Sequence, residues 1–340
     1  MPALRLSVLD QSPVRSGGTP AEAIAETLDL AQAAERLGYH RYWLAEHHST
    51  PGLADASPEI LIGQVAARTS RIRVGAGGIM LTHYSALKVA ETFRMLETLF
   101  PGRIDLGIGR APGSDALTAE ALRHGPGAMG LEFFPDQVGD LLGFLHDRLG
   151  PGHPFAGVRA MPRGPGAPEV WLLGSSAESA ACAAHLGTAF SFAHFINADD
   201  GAQVTRAYAR AFHPSPELAA PRASVAAFAV CAETEAEARR LALSRELFLL
   251  RLYTGRPGPY PSVEEAERYA YTTRERMIAE AIQRRTIAGA PEQVREQLLA
   301  LAADYGVDEV VVVTITHDPK ARLRSYELLA DAFALGEDPE

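Results

Sequence analysis

The sequence predicts a closed (β/α)8 TIM barrel, an α/β fold in which eight parallel strands alternate with helices around a central ring. The chain has 340 residues, and no low-complexity linker divides it. Short apolar runs alternate along it with stretches of helical periodicity. The runs at residues 170–173 (VWLL) and 310–313 (VVVV) are continuously apolar, which is typical of parallel strands covered on both faces. We therefore expect one barrel domain over residues 1–340.

Eight apolar runs form the predicted strands, at residues 4–9, 41–45, 72–75, 104–107, 170–173, 189–192, 223–231 and 310–313. Helix starts between them are marked by hydroxyl residues that can cap a first turn. These residues are Thr19 before Pro20 and Glu22, Ser57 before Pro58, Ser175 three positions before Glu178, and Thr234 three positions before Glu237.

An open, doubly wound sheet is the main alternative to the barrel. A dinucleotide-binding sheet of that kind carries G-x-G-x-x-G after its first strand. Here the first strand is followed by D-Q-S-P at residues 10–13, and the glycines after the fourth strand, at 107, 109 and 113, have the wrong spacing. The barrel is therefore favoured.

Two connections are longer than a barrel requires, so insertions are expected after strands 4 and 7. The first covers roughly residues 109–169 and is rich in Gly and Pro. The second includes a possible lid at about residues 250–288, because barrel enzymes work at the carboxyl ends of their strands. The alternative is a surface insertion that only packs on the barrel.

Charge and composition exclude several classes of protein. The formal net charge of −10 opposes nucleic-acid binding, which depends on basic residues. Cys182 and Cys231 are the only cysteines, too few for a disulfide framework. No apolar run approaches the roughly 20 residues of a membrane helix, and the N-terminus lacks the features of a signal peptide. We expect a cytoplasmic protein without a membrane partner.

The run Y-W-L-A-E-H-H at residues 42–48 is the most informative segment for chemistry. An apolar strand ends there in Glu46, His47 and His48, at the end where barrel active sites form. Histidine suits proton transfer near neutral pH, and a carboxylate can hold its tautomer. The predicted catalytic residues are therefore His47 and Glu46. Two alternatives remain, a pair of metal ligands or satisfied core histidines; no second His/Cys cluster supports a metal site, and none is expected.

Three further strand ends carry residues that suit a flat, phosphorylated ligand. Glycines at residues 75, 77 and 78 would let such a ligand lie against bare backbone, although a tight turn would also explain them. Arg110 follows Gly109 in a glycine-rich loop, and guanidinium groups bind phosphate oxygens well. Gly174, Ser175 and Ser176 lead into a helix, where hydroxyls and free amides form an anion site; Ser175 can equally be a helix cap.

Taken together, these motifs resemble the bacterial luciferase-like family of flavin-dependent monooxygenases over nearly the whole chain. The run at residues 42–48 is similar to the family's W-L-x-E-H-H block. V-G-A-G-G-I-M-L at residues 74–81 is similar to its glycine turn, which in the luciferases contains a non-proline cis peptide beneath the flavin. G-R-I-D-L-G-I-G-R at residues 102–110 is similar to its fourth-strand block.

The resemblance implies roles for individual residues. His47 would lie beside the flavin, Gly77 and Gly78 would line its ring, and Arg110 with Ser175 and Ser176 would hold its phosphate. Two positions depart from the luciferases, which have a cysteine where this chain has Gly109 and a glutamate where it has Ser175. The chain is more similar to the non-luminous, single-subunit members, and no light emission is expected.

The resemblance also implies an activity. An FMN-dependent monooxygenase would receive reduced FMN from a separate flavin reductase and oxidise a small organic substrate through a C4a-hydroperoxyflavin, acting on paired donors with incorporation of O2. The alternatives are an F420-dependent hydride-transfer oxidoreductase on the same barrel, or a non-catalytic flavin-binding protein. A homodimer formed through the helix at residues 85–100 is expected, since family members often pair there.

Overall fold

The computed structural model describes residues 4–111, 113, 115–122, 130–164 and 166–336. Its centre is a closed barrel of eight parallel strands, which confirms the predicted fold class. The barrel strands are β1 (Arg5–Asp10), β2 (Arg41–Leu44), β3 (Arg73–Met80), β4 (Ile104–Gly109), β5 (Glu169–Gly174), β6 (Ala189–Ala193), β7 (Ala223–Cys231) and β9 (Glu309–Val313).

The barrel closes through parallel pairing of consecutive strands and of the last with the first. β1 pairs with β9 from Arg5 opposite Glu309, and β6 pairs with β7 from Phe190 opposite Ala223. Each of the eight predicted strands coincides with an observed barrel strand. Because all strands run the same way, every strand end that carries a candidate site residue lies at one mouth of the barrel.

Helices pack around the outside of the barrel, and the one that follows β7 also reaches the apolar cluster inside it. They are α1 (Pro20–Arg36), α2 (Pro58–Arg68), α3 (Ala86–Leu99), α4 (Ala116–Leu122), α5 (Phe134–Leu145), α6 (Ala177–Leu186), α7 (Gly201–Ala211), α8 (Glu235–Tyr253), α9 (Val263–Arg268), α10 (Thr273–Gln283), α11 (Pro291–Tyr305) and α12 (Pro319–Ala332). Thr19 and Glu22 form the predicted capping box, and Thr234 caps α8. The prediction that Ser175 caps α6 is wrong. The cap is Ser176, whose hydroxyl accepts from the backbone N–H of Ser179, because the helix starts one residue later.

The barrel wall separates two apolar layers, as alternation along a strand requires. In β9, Val310 and Val312 belong to the layer that faces the helices. Val311 and Val313 belong to the inner cluster, together with Trp43 and Trp171. The two tryptophan rings meet edge to face with their centroids 5.4 Å apart. A ring of parallel strands is thus filled with side chains and is not a pore.

One buried arginine ties four strands together at the amino end of the barrel. Arg41, at the start of β2, is 1% exposed. Its Nε donates to Glu309 Oε1 at 2.7 Å, and its Nη1 donates to Asp105 Oδ2 at 2.8 Å and to Glu169 Oε1 at 3.2 Å. Burial alone would lower the pKa of Arg41, but these three carboxylates more than offset it and raise the pKa. The guanidinium also lies 4.8 Å from the ring centroid of Trp171.

Both predicted insertions are present, and the second contains an unpredicted strand. The first carries α4 and α5 between β4 and β5, and the second carries α9, α10 and β8 (Thr286–Gly289) between α8 and α11. β8 pairs with β7 from Phe228 to Cys231. Phe228 is also the last β7 residue that pairs with β9, and Ala226 is the last that pairs with β6. β7 therefore extends beyond both of its barrel neighbours.

The segment predicted as a possible lid is fastened to the first strand–helix loop. Tyr260 is 1% exposed, and its backbone N–H donates to Val14 O at 2.9 Å. Its ring stacks on Phe248 of α8 with centroids 3.9 Å apart.

In the described part of the chain, no helix is long and apolar enough to cross a membrane. α3 is the helix through which a homodimer is expected. Its residues Phe93 and Leu96 are buried against the barrel and belong to the hydrophobic core.

Candidate active site

A cavity of about 540 Å³ opens at the carboxyl end of the barrel. One wall is a single face of α8, contributed by residues three or four positions apart, and the opposite side carries His47 from the loop after β2. Aromatic and aliphatic side chains dominate the lining, which suits a small organic molecule. The lining residues include Gln11, His47, Leu53, Phe195, Arg245, Phe248, Leu249, Leu252, Tyr253 and Tyr260.

His47 reaches this cavity as the sequence predicts, and a buried carboxylate orients its ring. Nδ1 lies 3.2 Å from Asp55 Oδ1, and the backbone N–H of His47 donates to the carbonyl oxygen of Asp55 at 3.1 Å. The side chain is 23% exposed. With Nδ1 held by Asp55, Nε2 is the ring nitrogen left to exchange a proton with a ligand.

Asp55 is the residue of this pair that the sequence analysis missed. It is fully buried, and burial raises the pKa of its carboxyl group to about 7, although the neighbouring His47 acts in the opposite direction. Its second oxygen, Oδ2, has no hydrogen-bond partner among the described residues. The Asp55 carboxyl group and the His47 imidazole lie close enough to share a proton.

Asp55→Asn is expected to change how stability depends on pH. Because the pKa of Asp55 is higher in the folded protein than in an unfolded chain, its contribution to stability is complete below about pH 4 and is lost as pH rises through about 7. Relative to the variant, the wild type should lose up to about 4 kcal/mol of unfolding free energy over that interval. Urea denaturation at a series of pH values measures this. The exposed Asp29→Asn on α1 is the control, and parallel curves for Asp55→Asn and wild type would contradict the assignment.

Glu46, the other predicted catalytic residue, lies behind the cavity and does not line it. It is fully buried, and its Oε1 accepts from Tyr84 Oη at 2.7 Å and lies 2.7 Å from His48 Nε2. Its Oε2 accepts from the backbone N–H of Met80 at 2.9 Å. The carboxylate thus joins the ends of β2 and β3. This geometry suits a positioning residue that holds the mouth of the barrel in shape.

The glycine turn in β3 is packed against the barrel interior. The peptide bond between Gly77 and Gly78 is cis, the geometry that the family resemblance implies for this turn. A Cβ on Gly78 would lie 2.6 Å from the carbonyl oxygen of Gly107, and one on Gly77 would lie 2.6 Å from a methyl carbon of Leu9. Packing alone therefore requires glycine at position 78, where the neighbour is backbone, whereas at position 77 the leucine side chain would have to move. Gly77 remains partly exposed, whereas Gly78 is buried.

Arg110 and the start of α6 lie next to each other at the same mouth. Arg110 is exposed after β4. A hydrogen bond from Ser176 and, to a smaller extent, the charge of Arg110 lower the pKa of Glu178 in the first turn of α6. Gly174 and Ser175 precede the cap, and a Cβ on Gly174 would lie 2.3 Å from the hydroxyl of Ser179. The arrangement offers a cation, a hydroxyl and helix-terminal amides to an anion.

The predicted residues thus share one end of the barrel but divide into two groups. His47 lines the cavity beside α8, while Arg110, Gly174, Ser175 and Ser176 lie beyond it, on the β4–β5 side. Gly109 is open enough that a Cβ would meet only Met80 Sδ, at 3.4 Å, and the carbonyl oxygen of Ile79. No group of three or more metal-ligating side chains occurs in the described ranges.

Arg245 is a cavity residue that the sequence analysis did not single out. It lies on α8, is 4% exposed, and packs its guanidinium 3.9 Å from the ring centroid of Phe228. A signal was available, because Leu241, Phe248, Leu249 and Leu252 lie at helical spacing from it and place it on the apolar face of α8.

Comparison with known proteins agrees with this architecture. A family model described as luciferase-like monooxygenase matches residues 4–309. N-acetyl-S-alkylcysteine monooxygenase of Bacillus subtilis (strain 168) is 40% identical over 332 residues, which cover 97% of this chain and 98% of that protein. The crystal structure of apo-MsnO8 matches with a TM-score of 0.87 and 38% identity, covering 99% of this chain and 100% of that one.

Two more distant structures share the fold and were solved with cofactors. The oxygenating constituent of 3,6-diketocamphane monooxygenase from Pseudomonas putida, in complex with FMN, matches with a TM-score of 0.69 and 19% identity over 96% of this chain and 97% of that one. An F420-dependent secondary alcohol dehydrogenase, in complex with an F420–acetone adduct, matches with a TM-score of 0.70 and 12% identity over 97% and 99%. The fold therefore accommodates either cofactor.

Proposed function

This chain belongs to the luciferase-like monooxygenase family, and on that basis we propose that it is an FMN-dependent monooxygenase that oxidises a small organic substrate with O2. The proposal depends on the position of His47. Its ring faces an apolar cavity at the barrel mouth and is held by the buried Asp55. An imidazole in this setting suits proton transfer to a substrate that is shielded from water.

The residues around the start of α6 fit the phosphate of FMN. Arg110 is exposed, and its guanidinium can form two parallel hydrogen bonds with a phosphate; the Ser176 hydroxyl and helix-terminal amides lie near it. When bound, reduced FMN supplies the electrons that activate O2. The chain's own contribution is to hold this phosphate, to exclude water with the apolar lining of the cavity, and to hold or release a proton at His47 Nε2.

Arg110→Ala should weaken binding of FMN by about 10- to 100-fold, the loss expected for a charge-assisted contact. Riboflavin has the same ring but no phosphate, so its affinity should change by less than about twofold. Glu178→Gln is the complementary control, because removing a carboxylate near Arg110 should tighten FMN binding severalfold. Fluorescence titration measures each Kd. An equal loss for FMN and riboflavin would mean that Arg110 does not hold the phosphate.

The proposed activity is tested by anaerobic titration with photoreduced FMN, followed by mixing with O2. We expect binding of reduced FMN and reoxidation kinetics that differ from those of free flavin. N-acetyl-S-alkylcysteines are the first substrates to screen, given the name of the relative that is 40% identical. Tight binding of F420 without binding of FMN would favour hydride transfer instead. Binding of FMN without any oxygenated product across a broad screen would favour a non-catalytic flavin-binding protein.

We propose two partners as part of this function, a separate flavin reductase and a second copy of the chain. The outer faces of α2 and α3 expose large apolar side chains, with Ile60 65% exposed, Met95 50% and Leu99 60%. Such residues suit a face that a homodimer covers. Light scattering reports the mass of the particle in solution, and Leu99→Glu should shift it toward the monomer. A wild-type monomer at micromolar concentration would rule out the dimer.

A further inference from the structure

We propose that Arg245 is a substrate-binding residue and that the substrate carries a carboxylate attached to an apolar body. This deepens the proposed function by naming a substrate class, and it rests on that function for the identity of the cavity. Arg245 lines the same cavity as His47. It reaches the cavity from α8, away from the β4–β5 side where Arg110 and Ser176 would hold a cofactor phosphate.

The guanidinium of Arg245 is buried without a counter-charge. Among the described residues, no carboxylate forms an ion pair with it, and Nη1 has no hydrogen-bond partner. Burial lowers the pKa of Arg245 to about 10, so the group is still charged at neutral pH. An unpaired charge of this kind is costly, and the cost is offset when a bound anion supplies the missing acceptor.

The surroundings of Arg245 favour an anion over a neutral polar group. The groups that act on its charge are the phenol hydroxyls of Tyr253 and Tyr260, and Arg285 adds a second positive charge nearby. Arg285 donates to Tyr253 Oη at 3.1 Å and is itself without a carboxylate partner in the described ranges. Asp115 is the acidic residue of the lining, but it is exposed at the rim and accepts from the backbone N–H of Thr118 at 2.9 Å.

The remaining lining describes the rest of the molecule. Phe248, Leu249 and Leu252 continue along the same face of α8, and Leu53 and Phe195 lie across the cavity. These side chains suit an aliphatic or aromatic body, and guanidinium suits a carboxylate that can accept two parallel hydrogen bonds. With the acid group held at Arg245, the apolar body would extend toward His47. N-acetyl-S-alkylcysteines, which we propose to screen, belong to this class of compound.

The test compares hexanoate with its neutral analogue hexanamide by isothermal titration calorimetry, with and without saturating FMN. Wild type should bind hexanoate at least about 10-fold more tightly than hexanamide. Arg245→Met should lose about 10- to 100-fold in hexanoate affinity and leave hexanamide affinity unchanged. Arg239→Met, at an exposed arginine of the same helix, is the matched control and should bind both probes as wild type does.

Thermal unfolding separates ligand binding from a structural role. If Arg245 is kept for an anion, Arg245→Met should raise the Tm of the ligand-free protein by on the order of 2 °C, because a buried unpaired charge is removed. A lower Tm together with unchanged hexanoate affinity would overturn the proposal and assign Arg245 to packing against Phe228. If Arg245→Met does not fold, Arg245→Lys keeps the charge without the two-pronged geometry and should lose affinity for hexanoate only.

Parallel FMN titrations distinguish failure of this proposal from failure of the proposed function. Loss of FMN affinity in Arg245→Met with hexanoate affinity intact would assign the guanidinium to the cofactor and overturn the proposal. Hexanoate bound through Arg245 by a protein that binds no FMN would sustain the substrate class and reject the monooxygenase. Equal affinities of wild type for hexanoate and hexanamide would reject the substrate class whatever FMN does.

Discussion

His47→Ala is expected to slow formation of oxygenated product by about 100- to 10,000-fold, the range for removal of a positioned acid–base group. The reason is geometric, because His47 contributes an imidazole to the cavity lining and Asp55 fixes its ring. FMN affinity should stay within about threefold of wild type, since the residues proposed to hold the phosphate lie at Arg110 and the start of α6. Product formation in single turnovers with reduced FMN and O2 measures the loss.

His48→Ala provides a matched control at the next position. His48 contacts Glu46 and does not line the cavity, so its removal should affect stability more than chemistry. If the His48 variant lost activity as fully as the His47 variant while both stayed folded, the assignment of proton transfer to His47 would be wrong. Unchanged product yield in His47→Ala would reject it outright.

The largest effect on stability is expected for Arg41→Met. Removing the guanidinium leaves three buried or half-buried carboxylates without their shared cation, and breaking a buried pair in this way typically costs about 3–5 kcal/mol. The pKa of Glu169, which Arg41, Arg73 and Arg222 lower to about 2 against the effect of burial, should rise toward its usual range. Urea unfolding at pH 7 measures the first effect.

Arg5→Met is the control for this substitution. Arg5 also pairs at the amino end of the barrel, with Asp308 at 2.9 Å, but both side chains are more than a third exposed. Exposed pairs contribute less than about 1 kcal/mol, so the two variants should differ several-fold in lost stability. A similar small loss for both would show that the buried cluster can rearrange around the missing charge.

Much of the barrel is readable from the sequence, because parallel strands covered on both faces leave uninterrupted apolar runs. VVVV at residues 310–313 and VWLL at 170–173 are of this kind, and each is a barrel strand. β8 escaped prediction because its four residues, Thr286–Gly289, alternate in burial and follow two arginines. A strand that only extends one edge of β7 needs no long apolar run, so it leaves no distinct pattern.

The candidate site is readable only where its residues adjoin a strand end. His47 directly follows such a strand, and chain direction alone places it at the mouth of the barrel. Asp55 lies eight positions further on, in a loop whose path the sequence does not define, and nothing distinguishes it from other aspartates. Glu46 and His47 are neighbours in sequence, yet their side chains find different partners, His48 and Asp55. The partner of each side chain depends on the direction in which the backbone points it, and the residue type does not determine that direction.

The unequal height of the barrel wall has a consequence for how this scaffold can change. β7 extends past β6 and β9, and the helix that follows it, α8, forms a wall of the cavity, whereas the residues proposed to hold the cofactor phosphate follow β4 and β5. In the proposed function, cofactor binding and substrate selection would therefore depend on different segments of the chain. Replacing residues on the face of α8 that lines the cavity should change substrate selectivity and leave cofactor affinity unchanged. This helix is therefore the segment to exchange when the substrate range is engineered.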